Sequence, residues 1–398
     1  MKTAIRFGIL LTALASPALA AETSGTTHKQ AAAIPVKGPT GTSLQTLCLN
    51  ADGQILALVA PPRGYGNAVK NVTSEVQVLT GEGKKVTSWK VNFHGQSINC
   101  GPDGTVYVAG DGRVAKFDKD GKPLAELELP HIAALLKDKD GMRKQAEEQI
   151  KSQKESFQRT VKQFTERKEK LEAKQEADLT DQEKRQLKQY EQILKSYEQT
   201  TKYYESLNVD TVLAQTTGRL RVINSIAATG KDVFIVCGEG KGYGYAVWRM
   251  NHEFKDAKQI MSGLSGCCGQ MDVQVSGGDL LVAENTQHRF GRYDRDGKQI
   301  GTGGKRGKET EPGCFGGCCN PMNLRSGPDG DVFTAESEGI VKRFSAKGEF
   351  LGNVGHVALT GGCKNVSVAV SPTADRVYFC DLPGSRVIVL ALQTPDKK

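Results

Sequence analysis

Short apolar runs recur along most of the chain, each closed by a turn rich in Gly, Asp, Asn or Pro. Aligned on those turns, the sequence resolves into six copies of one pattern. They read SLQTLCLNADGQILALVA from 43, GQSINCGPDGTVYVAGDGRVAKFDKDGKPLAELEL from 95, VINSIAATGKDVFIVCGEG from 222, CGQMDVQVSGGDLLVAENTQHRFGRYDRDGKQIG from 268, CNPMNLRSGPDGDVFTAESEGIVKRFSAKGEFLGNVG from 319 and CKNVSVAVSPTADRVYFCDLPGSRVIVLAL from 363. Each gives an apolar strand, a turn such as PDG or GGD, a second strand, and often a third ending at DKDG, DRDG or SAKG. Apolar, β-branched runs between turn signals spaced roughly eight to twelve residues apart predict an all-β array.

Between the second and third copies the period changes. Residues 137–206 hold 17 basic and 15 acidic residues, no proline and one glycine. Ile150, Phe157, Val161, Phe164 and Leu171 keep helical spacing, as do Leu187, Tyr190, Leu194, Tyr197 and Tyr204. The pattern predicts two amphipathic helices, and LTDQE at 179–183 starts the second with Thr180 as N-cap and Glu183 completing a capping box. The result is a coiled-coil-like hairpin whose arms of about 30 residues reach about 45 Å. Lys154 and Lys168 interrupt the seam of the first arm. The hairpin is either a solvated insertion or a lid or partner-binding arm.

The segments DGTVYVAGDGRVAKFDKDGK and LLVAENTQHRFGRYDRDGK resemble NHL repeats, and the likeness covers about 43–130 and 222–392. This resemblance implies a six-bladed β-propeller, a ring in which radial repetition protects the sheet edges. The last copy stops near Leu392 after three strands, so the missing outer strand is expected from AAIPVKG at 32–38 in the N-terminal segment 21–42; a bare three-stranded blade is the alternative. The chain then divides into blades 1–2 at 43–130, the insertion and its connections at 131–221, blades 3–6 at 222–394 and a tail at 395–398.

The first twenty residues, MKTAIRFGILLTALASPALA, have a basic start, an apolar middle and an A-x-A ending. That is the pattern of a cleaved secretory signal and predicts a periplasmic or secreted protein. No later stretch has the roughly 18 apolar residues of a membrane span. The formal charge is +8, two units of it from Lys2 and Arg6 in the leader. Basic residues alternate with acidic ones and form no run, which gives a nucleic-acid partner little support.

Export changes how the ten cysteines are read, since an even number in an oxidising compartment makes disulfides the default. Cys268, Cys319 and Cys363 fall at matching positions just before the first strands of three successive copies, with Cys267 and Cys318 one step earlier and Cys314 nearby. These six form disulfides between blades, a thiolate site for copper, zinc or iron–sulfur, or an exchangeable redox pair. Cys48, Cys100, Cys237 and Cys380 lie in or beside strands and read as buried small hydrophobes, with Cys48 and Cys100 placed to pair.

In the topology that the resemblance implies, first strands line the channel, and the ends of second strands share a rim with the starts of first strands. Glu284, Glu336 and Asp381 end second strands, so they are expected on the rim that carries the sulfurs. Thr46, Ser97, Ser225, Asp272, Asn323 and Ser367 share one first-strand position and would ring the channel, to hold water or an ion or simply to satisfy backbone groups. The helical insertion opens on the same face.

Two function classes follow. One is a noncatalytic binding or scaffold module that takes a protein, peptide or carbohydrate at the channel mouth, with the hairpin as a partner arm. The other is a metal-dependent hydrolase or lyase, a class that includes some similar propellers. It would place a divalent ion among Glu284, Glu336, Asp272, Asn323 and Asp381, with His94 or His288 as base. No serine elbow, phosphate loop or zinc-protease motif is present.

Overall fold

A computed structural model describes residues 25–62, 72–240, 244–359 and 365–393. The leader and Cys363 therefore lie outside the described residues. Six four-stranded antiparallel sheets each run from an inner to an outer strand. The inner strands are Ser43–Leu49, Ser97–Cys100, Ile223–Ala228, Val273–Ser276, Asn323–Ser326 and Ser367–Val370. Each packs against the inner strands of both neighbours, the last against the first, and the ring closes.

Burial grades outward along each blade. Second strands such as ILALVA (Ile55–Ala60) and VFIVCG (Val233–Gly238) are buried at every position, as expected of strands covered on both faces by neighbouring blades. The outer strand PLAELE (Pro123–Glu128) has no buried residue. The hairpins between third and fourth strands share one device, a side-chain oxygen that accepts two backbone amides: Asp118 accepts from Asp120 and Lys122 at 3.0 and 2.8 Å, Asp294 does the same for Asp296 and Lys298, and Asn251 and Ser345 take that place in blades 3 and 5. The Asx turns at Asp118 and Asp294 are what the DKDG and DRDG signals encode.

The outer strand of the sixth blade comes from the other end of the chain. His28–Pro35 pairs antiparallel with Arg386–Leu392, and His28 Nε2 lies 2.8 Å from the Ala374 carbonyl. The N-terminal segment thus covers an edge that would otherwise present RVIVLAL to solvent.

The insertion holds four helices rather than two: α1 (Pro130–Lys137), α2 (Lys139–Glu172), α3 (Asp181–Ser206) and α4 (Val209–Arg221). The capping box of Thr180 and Glu183 is formed, and Lys174 adds an ion pair to Glu183. The α2–α3 seam is aromatic. Phe157 meets Tyr197 and Tyr204 at 5.5 and 4.8 Å between ring centroids, and Phe164 meets Tyr190 and Tyr197.

Helices α1 and α4 root this arm on blades 2 and 3. The Gly112 amide donates to the Arg221 carbonyl at 2.7 Å, Arg219 donates to the Glu239 carbonyl at 2.8 Å, and Gln145 donates to the Gly240 carbonyl at 2.6 Å. His131 stacks on Trp248 at 4.4 Å, and its Nε2 lies 3.5 Å from Cys237 Sγ. Burial pushes the His131 pKa down to about 4. Since the unfolded value is near 6.5, this root is stable at neutral pH and loses up to about 3 kcal/mol as pH falls through that window. His131→Phe, which keeps the stack without a titrating ring, should flatten the acid loss of amide protection in α1 and α4 measured by hydrogen exchange at pH 7 and pH 5. An unchanged acid response would assign it to another group.

Candidate functional site

One face of the ring carries a polar cavity of 580 Å³ at the start of the inner strands. Its lining includes Thr46, Ser97, Asp272, Asn323 and Ser367 of the expected polar ring, together with Asn224, Cys268 and Arg325. Ser225 is buried just behind it, bonded to Asp272.

The ring works as a circumferential stitch. Ser97 Oγ accepts from the Ile226 amide at 2.9 Å, Ser225 Oγ from Val273 at 3.2 Å, Asp272 Oδ2 from Leu324 at 3.0 Å and Asn323 Oδ1 from Val368 at 2.8 Å. Each acceptor belongs to one blade and each donor to the next. Thr46 and Ser367 join hydroxyls at 3.0 Å across the junction of first and last blades. These side chains satisfy backbone groups that inner strands leave open where blades converge.

Asp272 is also saturated by side chains. Its Oδ1 accepts from Ser225 Oγ and Gln274 Nε2 at 2.8 and 3.0 Å, and the Arg325 guanidinium stands 3.6 Å from Oδ2. Arg325 reaches across the channel to the Leu47 carbonyl at 3.2 Å, and Asn99 donates to Gln274 at 3.0 Å. A hard divalent ion needs free oxygen lone pairs and net negative charge. This donor set offers an occupied carboxylate beside a fixed cation, so it does not fit such an ion.

The expected acidic rim is corrected in the same sense. Glu284 pairs with Arg289 at 2.7 Å and hydrogen-bonds the Tyr293 hydroxyl, Glu336 pairs with Lys342, and Asp381 pairs with Arg386 at 2.7 Å. None of the three lines the mouth cavity. Strand alternation explains this: successive side chains leave a strand on opposite faces, and these acids turn into their own blades towards cations on third strands. The next residues reach the rim instead. Asn285 Oδ1 accepts from the Cys267 amide at 3.0 Å, and the Ser337 amide donates to Asn320 Oδ1 at 2.9 Å.

The candidate bases are held elsewhere. His94 Nε2 lies 2.9 Å from the Pro61 carbonyl, and His288 occupies a left-handed turn at φ 54°. Burial lowers the His288 pKa, and neither imidazole lines the cavity.

Of the five expected sulfurs among the described residues, four converge. Cys267 and Cys268 come from the loop before the inner strand of blade 4, and Cys318 and Cys319 from the corresponding loop of blade 5. Cys268 Sγ lies 3.6 Å from Cys267 Sγ and 3.3 Å from Cys319 Sγ, and Cys318 and Cys319 are 2.9 Å apart. Cys267, Cys318 and Cys319 lie within 4.8 Å of one another. Each of these three separations exceeds the ~2.05 Å of a disulfide bond.

Adjacent side chains of an extended chain point apart, so neighbouring cysteines bring their sulfurs together only where the backbone turns. Here Cys268 takes φ 55° and Gly269 φ 67°, while Gly317 at φ 66° leads into the second pair. Each loop is fixed by a buried asparagine. Asn285 joins the Cys267 amide to the Gln270 carbonyl, and Asn320 Nδ2 donates to the Gly316 carbonyl and to Glu338 Oε2.

Cys314 stands apart, its thiol 3.6 Å from Glu311 Oε2 and its carbonyl held by Lys342. Cys48, Cys100, Cys237, Cys314 and Cys380 are free thiols, so the Cys48–Cys100 pairing is not formed. Burial pushes the Cys100 thiol up to about 11 and Cys237 up to about 12, which suits packing rather than reactivity.

The insertion meets this site at its root. Asn224, three residues beyond α4, lines the cavity and donates to the Gly269 carbonyl at 2.7 Å. Gln270 joins the same loop to blade 6, donating to the Val366 carbonyl at 2.7 Å.

No protein-family model matches the chain, and no curated protein does, so the NHL likeness remains one of repeat sequence. Solved structures similar to it include a protein of unknown function from Bacteroides thetaiotaomicron VPI-5482, 9% identical over 93% of this chain and 74% of that one, with a TM-score of 0.47. Another is the RRP9 WD40 repeats, 9% identical over 92% of this chain and 100% of that one, TM-score 0.43. A third is a protein of unknown function from Bacteroides caccae, 10% identical over 84% and 88%, TM-score 0.42.

Proposed function

We propose that the chain is an exported binding or scaffold module that takes a protein, peptide or carbohydrate ligand at the channel mouth, beside the root of its helical arm. The observation that carries this reading is the Asn224 side chain, which lines the mouth cavity and ties the base of the insertion to the Cys267–Cys268 loop. Polar amides and hydroxyls around a concave surface are what a ligand rich in hydrogen-bonding groups requires. The exported location rests on the leader sequence alone.

The hydrolase or lyase alternative needs a divalent ion in the channel. Arg325 and the saturated Asp272 oppose one there.

Peptide and oligosaccharide arrays probed with the full mature chain test the reading. Saturable retention of one ligand class is expected, lost on Asn365→Trp, which fills the cavity from its rim without touching the core. Retention that survives Asn365→Trp would place binding elsewhere. Metal-stimulated turnover of lactones or esters would replace the module by an enzyme.

A further inference from the structure

We propose that Cys267, Cys268, Cys318 and Cys319 form a thiolate site for a soft d10 metal ion, Cu(I) or Zn(II), at the junction of blades 4 and 5. The proposal is independent of whether the mouth holds a macromolecular ligand.

Three features point to a metal rather than to packing alone. The first is geometric. Two sulfurs on one tetrahedral ion with bonds of about 2.3 Å stand about 3.8 Å apart. The sulfurs of this cluster are separated by 2.9 to 3.6 Å where they touch, and Cys267, Cys318 and Cys319 fall within 4.8 Å of one another. A coordination shell requires the touching pairs to open slightly and the wider ones to close.

The second feature is the donor chemistry. Among the described residues the cluster is all sulfur, without a histidine or carboxylate, and it borders the apolar core containing Met322, Val341, Val354 and Val366. Thiolates in apolar surroundings select soft ions and offer little to Ca²⁺ or Mg²⁺. Access is graded as a loading site requires, since Cys318 is exposed, Cys267 and Cys268 are half-buried and Cys319 is fully buried.

The third is preorganisation. Left-handed turns at Cys268, Gly269 and Gly317 aim both vicinal pairs at each other. Asn285 and Asn320 hold the two loops by hydrogen bonds to backbone amides and carbonyls. Outer groups that fix ligand orientation are a general feature of metal sites. Two loops from different blades, each with its own buried asparagine, are more than is needed to pack four small side chains. Metal binding releases the thiol protons to solvent and changes no oxidation state, so no redox partner is required.

The test uses the full mature chain, reduced and handled without oxygen, titrated separately with ZnCl2 and with Cu(I) against a chromophoric chelator. A stoichiometric ion of either kind is expected, with a sulfur shell at about 2.2–2.3 Å by X-ray absorption. Cys318→Ser, a change at an exposed position, should weaken binding at least tenfold, and Cys267→Ser/Cys318→Ser should abolish it. Cys100→Ser, at a thiol outside the cluster, should leave it unchanged. Thermal unfolding of each variant without metal shows whether the ring still folds, and Cys318→Ser keeps the test decisive if the double variant does not. Competition by Cu(I) alone or by Zn(II) alone identifies the ion. The proposal fails if neither ion is retained, if binding survives the double variant, or if chain recovered from its native exported fraction carries all four sulfurs as disulfides.

Discussion

A chain that begins at Lys37 should lose its monomeric ring. That truncation removes His28–Pro35, the outer strand of the sixth blade, and uncovers the backbone edge of Arg386–Leu392. It also removes Ile34 and Val36, both buried against the core shared by the first and sixth blades. Their burial alone is worth about 3–6 kcal/mol, and the exposed apolar edge is a template for pairing with a second chain. Size-exclusion chromatography with light scattering should show oligomers or aggregate, and the denaturation midpoint should fall. A monomer with an unchanged midpoint would mean that the inner strands alone close the ring.

Lys342→Met should be the most damaging single change to blade 5, and the damage should depend on pH. Lys342 and Glu336 form an ion pair in which both side chains are fully buried. Lys342 also donates to the Cys314 carbonyl and lies 5.3 Å from the Phe315 ring centre. Burial pushes the Glu336 pKa up to about 7 despite the opposing ammonium. The folded value lies above the unfolded one near 4.5, so the contribution of this group to stability is full below pH 4.5 and falls as pH rises through 7. Removing the ammonium raises the folded value further. The loss near pH 8 should reach about 3–5 kcal/mol, the cost of an uncompensated buried charge. At pH 5 Glu336 takes a proton in the fold and much of that loss is recovered. Chemical denaturation at the two pH values measures this. Adding Glu336→Gln to Lys342→Met should restore most of the stability at pH 8, and an equal penalty at both pH values would contradict the account.

The blades were legible because two signals coincide: recurring short turns rich in Gly, Asp and Asn, and second strands with apolar interiors such as ILALVA and VFIVCG. The same register brings Cys267, Cys268, Cys318 and Cys319 to one rim, since residues at one repeat position share one place in the ring. It misplaced Glu284, Glu336 and Asp381 because repeat alignment gives height along a strand, whereas the face depends on alternation parity. A cation on the third strand of each of these blades, at Arg289, Lys342 and Arg386, was the signal that these acids turn inward.

Other parts of the site carried weaker signals. Arg325 was missed because a charged residue next to Ser326 and Gly327 reads as a solvent-facing position, yet its guanidinium crosses the channel. Asn285 and Asn320 were overlooked because an asparagine at a turn is ordinarily a turn former. Helices α1 and α4 escaped notice because they are short and rich in apolar residues, with a glycine at 218 in the second. Their order comes from packing on blades 2 and 3 rather than from local pattern.

The claim on which the account turns is that metal chemistry in this protein belongs to sulfur at the blade 4–5 rim and not to oxygen in the channel. Anomalous diffraction at the metal edge, from crystals of the reduced chain loaded with Zn(II) or Cu(I), tests it directly. A peak within bonding distance of Cys267, Cys318 and Cys319 is the predicted result; a peak on the channel axis between Asp272 and Asn323 would contradict it.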